Sequence, residues 1–251
     1  MQKPHCIRLS LRNFRGLVLT GILASLLTAC APPLAKVEPE GRLDVLGPFP
    51  GFAEKDLPDD WVFAGPSKSR TYLTSIVLEG VPALRIENDP DGYSAVLRTQ
   101  AMMLATPFLS WAWNMETVEG GDHPTRLVVG FLDEDPEATT WQSRTLGWLG
   151  QDLPPHKRAI SIAWGESALE RGNFTIPATV GDNLAAPRYV ARGGRENTGQ
   201  WWLETIDLAE LYARAWPGEK MSHIRISFIG IATEPGREAT LAHISGVRLD
   251  R

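Results

Sequence analysis

Polar and apolar positions alternate with period two through most of the chain after Trp61. Residues 71–78 place Tyr72, Thr74, Ile76 and Leu78 on one face of a strand, Glu79-Gly80 turns it, and 81–87 runs back. Asn88-Asp89-Pro90-Asp91-Gly92 is a dense turn signal. Its alternating oxygens resemble a calcium loop. No Glu follows at the required offset, so a hairpin turn explains it better. Further strands are predicted over 93–99, 108–116, 125–132, 158–164, 188–191 and 201–206. Two long strands over 223–232 and 239–249 flank Glu234-Pro235-Gly236. Many short strands with Gly/Pro turns and no βαβ rhythm predict an all-β fold, a two-sheet antiparallel β-sandwich of jelly-roll type.

One helix breaks the pattern. Asp207 is placed to cap 208–216, Leu208, Leu211, Tyr212 and Ala215 form its apolar stripe, and Pro217-Gly218 stops it. It is expected to close one end of the sandwich. The segment 133–157, with Trp141 and Trp148, is long for a structureless loop and is expected to pack on the sandwich or line a site.

The N-terminus has a different grammar. Lys3, Arg8, Arg12 and Arg15 precede an apolar run over 16–27, which is too short to span a bilayer and has the form of a secretory signal. The run ends in Leu27-Thr28-Ala29-Cys30, which resembles the lipobox of bacterial lipoproteins. That resemblance implies cleavage after 29 and acylation of Cys30, and Ala31 rather than Asp implies the outer membrane, facing the periplasm. Residues 30–51 hold five prolines and read as a tether, leaving 52–251 as one sandwich domain. Loss of 1–29 removes Cys6 and four basic residues. The remainder has 21 Lys+Arg against 30 Asp+Glu, a net charge of −9 instead of −5. A chain this acidic is repelled by phosphate backbones and anionic headgroups, so nucleic acid is not an expected partner and the lipid must supply membrane attachment.

Enzyme signatures are missing from the sequence: it has no GxSxG, HExxH, P-loop or GxGxxG. His123, His156, His223 and His243 show no metal-ligand spacing. No catalytic residue, metal or cofactor is expected. Glu116, Asp122, Asp133, Glu134, Asp135 and Glu166 fall at predicted strand ends or loops, where a pair could serve glycoside hydrolysis, but thirty acids make such clustering commonplace.

Nine Trp outnumber eight Phe and four Tyr. Aromatic faces stack on sugar rings, and they also fill sandwich cores. Parity puts Trp111 and Trp113 with Leu109 and Met115, and Trp164 with Ile160 and Ile162, so these three are assigned to the core. Trp201 and Trp202 point to opposite faces. Ser110, Ala112, Asn114, Ser161 and Ala163 occupy the opposite, small-residue faces, where a groove is left either for the 133–157 segment or for a ligand. Trp141 and Trp148 are its candidate stacking wall. Arg126, Asp122, Glu166 and Asn114 are its candidate hydrogen-bonding groups.

The strings Phe108-Leu109-Ser110-Trp111-Ala112-Trp113, Asp122 leading into 126–131, Gly199-Gln200-Trp201-Trp202-Leu203-Glu204, and Ile244-Ser245-Gly246-Val247 resemble a bacterial envelope family catalogued as domain of unknown function 3047, over 61–249. The chain is more loosely similar to galactose-binding-like jelly rolls. In the family a polar segment rich in Asp and Asn follows the helix. Here it is Thr233-Glu234-Pro235-Gly236-Arg237, which weakens a metal-binding reading. The family carries over no activity. The expected function is non-catalytic binding of a glycan by a lipid-anchored envelope protein. The alternatives are a glycan-active hydrolase using loop carboxylates and a scaffold that binds an envelope protein.

Overall fold

The computed structural model describes residues 35–47, 58, 60–66, 72–133, 153–177 and 186–251. Thirteen strands are seen among them, with one α-helix. β1 is Leu43–Asp44, β2 Trp61–Ala64, β3 Leu73–Leu78, β4 Val81–Glu87, β5 Tyr93–Met102, β6 Phe108–Met115 and β7 Thr125–Leu132. β8 is Arg158–Gly165, β9 Phe174–Thr175, β10 Arg188–Gly193, β11 Trp202–Asp207, β12 Arg225–Thr233 and β13 Leu241–Asp250. The helix α1 is Leu208–Ala215.

The strands form two sheets. One runs β11-β6-β13-β4-β3, with β1 added on β13, and the other runs β2-β5-β12-β7-β8-β10-β9. Within them the order β4-β13-β6-β11 faces β5-β12-β7-β8, so early and late strands interleave in both sheets as in a jelly roll. The expected fold class is therefore present. One pairing departs from the antiparallel expectation: β10 lies parallel to β8.

Period two explains the layers. Leu109, Trp111, Trp113 and Met115 of β6 point inward, as do Ile160, Ile162 and Trp164 of β8 and Leu127, Val129 and Phe131 of β7. Trp113 meets Trp111 edge-on at 5.2 Å between ring centroids and meets Trp164, from the opposite sheet, at 5.4 Å. These three rings are core, as parity assigned them. Glu79 and Gly80 both take positive φ, 53° and 82°, in the two-residue turn that joins β3 to β4.

Asp207 caps α1, accepting from the backbone N–H of Ala209 and Glu210. The predicted stripe of Leu208, Leu211, Tyr212 and Ala215 is buried, and Tyr212 packs on Phe131 at 5.2 Å. At one open edge Glu204 of β11 is clamped by Arg192 of β10 at 2.5 Å and by Arg171 at 3.2 Å. Arg192 lies 3.7 Å over the ring of Trp202, which packs on the core.

Within the stretch 30–51, read as a tether, the described residues 35–47 contribute to the domain. β1 pairs with the end of β13, Leu43, Val45 and Leu46 are buried in the core, and Ala35 bridges to Thr99 of β5. Leu43, Val45 and Leu46 are too few to show periodicity, so proline spacing dominated the reading. The turn at 88–92 is not a hairpin: β4 and β5 belong to different sheets, and the turn crosses between them.

Candidate functional site

Register places five connections at one pole: β4–β5, β6–β7, the start of β8–β9, β10–β11 and β12–β13. Asp122, in the β6–β7 loop, is their hub. Its carboxylate binds Arg188 of β10 and lies 3.7 Å from Arg126 of β7, and its Oδ1 accepts from the backbone N–H of Glu166 at 3.2 Å. Arg126 also donates to Glu234 at 2.5 Å, and Arg237 donates to the Asp122 carbonyl at 2.7 Å. Arg188 reaches Glu170 at 4.0 Å. The Nε atoms of Arg126 and Arg188 and Oε2 of Glu170 are buried and have no hydrogen-bond partner among the described residues.

Between the β6–β7 loop and the β12–β13 turn lies a cleft of about 250 Å³, lined by Thr117, Glu119, Arg237, Glu238 and Thr240 among others. It is smaller than the roughly 300–1,000 Å³ of drug-sized ligand sites, which suits one compact polar unit. A notch of about 20 Å³ beside it is lined by Gly120, Glu166, Gly194 and Trp164. Asn88 fixes the turn, donating to the Glu238 carbonyl at 2.7 Å and accepting from Thr240 N–H at 2.5 Å.

His123 underlies this pole and is fully buried. Its Nδ1 accepts from Thr125 N–H at 3.1 Å, and Nε2 lies 3.3 Å from the Leu241 carbonyl, an arrangement that requires the neutral ring with its proton on Nε2. Burial, reinforced by the nearby charges of Arg126 and Arg237, pushes its pKa down to about 3 despite the bond to Leu241. The ring is a structural spacer. Among the described residues no group of three or more His, Cys, Asp or Glu is placed to hold a metal ion.

The candidate residues divide. Arg126, Asp122 and Glu166 come together at this pole. Asn114 does not: β6 belongs to the six-stranded sheet, and Asn114 pairs there with His243. Ser110 and Ala112 share that outer face, whereas Ser161 and Ala163 lie on the outer face of the seven-stranded sheet. The single groove expected from five small residues is therefore two surfaces on opposite sides of the sandwich, because parity reports a face without saying which sheet owns it. Cys30, Trp141, Trp148, Glu134 and Asp135 lie outside the described residues. Asp133 sits at the other pole and pairs with Lys157 at 3.9 Å.

On the seven-stranded sheet the small-residue face is wider than expected. Ser94, Ala232, Arg126 and Ala163 form one outward row, Val96, Gly230, Val128 and Ser161 the next, and Phe228, Gly130 and Ala159 the third. Leu153 packs on this surface, and His156 meets the Phe228 ring edge-on at 5.1 Å. The expectation that the 133–157 segment packs on the sandwich holds for its described end. Arg188, Glu234, Glu170 and Arg237 were not found from sequence. Arg188 opens β10, Glu170 lies in the β8–β9 connection, and Glu234 and Arg237 share the β12–β13 turn, so no single local signal unites them.

No family model matches the chain, and no curated protein matches it. Among solved structures, it is similar to the family 11 carbohydrate-binding module of the cellulosomal cellulase Lic26A-Cel5E of Clostridium thermocellum, with 11% identity, 82% of this chain and 92% of that chain covered, and a TM-score of 0.37. A non-crystalline-cellulose-specific module, CBM28, aligns with 12% identity over 87% and 99% of the two chains at 0.38. Endoglucanase 3 of Trichoderma harzianum, from family GH12, aligns with 11% identity over 70% and 80% at 0.38. At these scores the likenesses carry neither ligand nor activity to this chain.

Proposed function

We propose that this chain is a glycan-binding protein of the cell envelope, held at the outer membrane by acylation of Cys30 and facing the periplasm. The observation that carries the binding reading is the Asp122–Arg126–Arg188–Glu234 network beside the polar cleft. Planar carboxylates and guanidiniums that brace one another are fixed in advance for paired hydrogen bonds to neighbouring hydroxyls, and fixed partners lower the ordering cost of binding. Hydrolysis would require one carboxyl free to donate a proton over the cleft. Asp122 and Glu234 are engaged by arginines, so these two carboxylates suit holding a sugar better than cleaving it. The basic, apolar and lipobox segments ending at Cys30 support the anchoring.

Direct polar contacts to sugar hydroxyls mostly exchange water for sugar, so affinity is expected in the micromolar to millimolar range, about −8 to −4 kcal/mol. Titration calorimetry of the full chain against bacterial-envelope and plant polysaccharide fragments should find such a ligand, and Arg126→Ala should weaken it at least about tenfold, or 1.4 kcal/mol. Absence of binding at millimolar glycan, or a ligand indifferent to Arg126→Ala and to Glu234→Gln, would reject the site.

A further inference from the structure

Exposed apolar side chains occur at both poles, Leu169 at the Asp122 pole among them, and those of the opposite pole lie beside the point where the chain enters the domain. β5 runs from Tyr93, paired with Thr233 at the Asp122 pole, down to Met102, paired with Arg225. The turn after it carries Leu104, 52% exposed, and β6 then opens with Phe108, 36% exposed. Two large apolar side chains thus face solvent within five residues of sequence, at one end of the sandwich. The chain enters the domain at this same end. The backbone N–H of Ala35 donates to the Arg98 carbonyl at 3.1 Å, Ala35 bridges to Thr99, and β1 pairs with Arg248 and Leu249 near the end of β13.

Glu116, Glu119, Glu166, Glu196 and Glu238 are exposed on the connections of the Asp122 pole. At the other end several acids are paired, Asp133 with Lys157, Glu219 with Arg158 and Asp250 with Arg248, and Glu79 in the β3–β4 turn is exposed.

We infer that the pole bearing Leu104 and Phe108 rests on the lipid bilayer surface, so that the Asp122 site points away from the membrane. The inference rests on the acylation of Cys30 proposed above. Ala35 follows Cys30 by five residues, and five residues reach at most about 18 Å, so an acylated Cys30 keeps this entry point close to the headgroups. An exposed Leu and Phe at that depth gain by entering the interfacial layer. The acidic pole is repelled by anionic lipid, which acts in the same sense. The occupant of this apolar surface is therefore the bilayer that holds the anchor.

Leu104→Cys and Glu238→Cys, each labelled with a fluorophore, test this in the acylated protein, where Cys30 is already consumed and Cys6 has left with the signal. The proteins are placed in vesicles of phosphatidylethanolamine and phosphatidylglycerol that contain nitroxide-labelled lipid. Quenching at position 104 should exceed that at 238 several-fold. Equal quenching at the two positions, or stronger quenching at 238, overturns the orientation and leaves the anchor and the binding site untouched. Mass spectrometry of the wild type and of Cys30→Ser is the second arm. Equal masses of the N-terminal peptide, allowing for the one-atom substitution, would show that Cys30 bears no acyl chain. That result removes the anchor and the orientation together.

Discussion

A buried neutral histidine makes the stability of this protein depend on acid. His123 titrates near 6.5 in an unfolded chain, and burial lowers it to about 3 in the fold. Between those values the unfolded chain binds a proton that the folded chain refuses. Stability is therefore complete above about pH 6.5 and falls as pH drops toward 3, by an amount on the order of 5 kcal/mol over the whole window. Burial also lowers His156 and His243, which act in the same direction. Urea unfolding of wild type and His123→Gln at a series of pH values should show a shallower pH slope in the variant. Parallel slopes would mean that His123 does not carry its share. Parity found the neighbouring tryptophans, Trp111 and Trp113, because their partners recur every second residue. It could not find the role of His123, whose partners Leu241 and Thr240 lie more than a hundred residues away.

Among the strands, β7 shows how one missing atom shapes a surface. A Cβ at Gly130 would lie 2.1 Å from the Phe228 ring of β12, and His156 holds that ring edge-on. Gly130→Ala should cost about 1–3 kcal/mol through overpacking, and Phe228→Leu in the same chain should recover part of it. Thermal unfolding of the two single variants and the double variant measures this, and strict additivity would contradict it. The strand positions themselves were legible from sequence. β4 and β7 were predicted over 81–87 and 125–132, their observed bounds, because alternation and turn residues are local. β1, β2 and β9 were not predicted. They have two to four residues each, too few for a period to declare itself, and β1 is held by pairing with β13.

At the scale of the whole molecule, the two sheets are joined at one edge by the Glu204 clamp, since β11 and β10 belong to different sheets. Glu204 is 4% exposed. Glu204→Ala leaves Arg192 beside the core without its counter-charge and should cost about 3–5 kcal/mol, whereas a well-packed apolar pair at 192 and 204 could cost little. Chemical denaturation of Glu204→Ala decides, and a loss below about 1 kcal/mol would show the clamp to be ornamental. The candidate site was half legible for a related reason. Arg126 and Asp122 lie four residues apart on one connection, but Arg188 and Glu234 join them only through the order of strands, which no local pattern encodes. That order also determines when the protein can exist at all. β4 and β5 complete their sheets against β13 and β12, which are synthesised more than a hundred residues later. A growing or emerging chain therefore has no smaller domain in which to rest. Such distant pairing makes folding slow, in the range of milliseconds to seconds, and a chain that ends before Arg225 loses an inner strand of each sheet. Early termination should thus yield an unstructured chain for proteases to clear, with no shortened sandwich surviving.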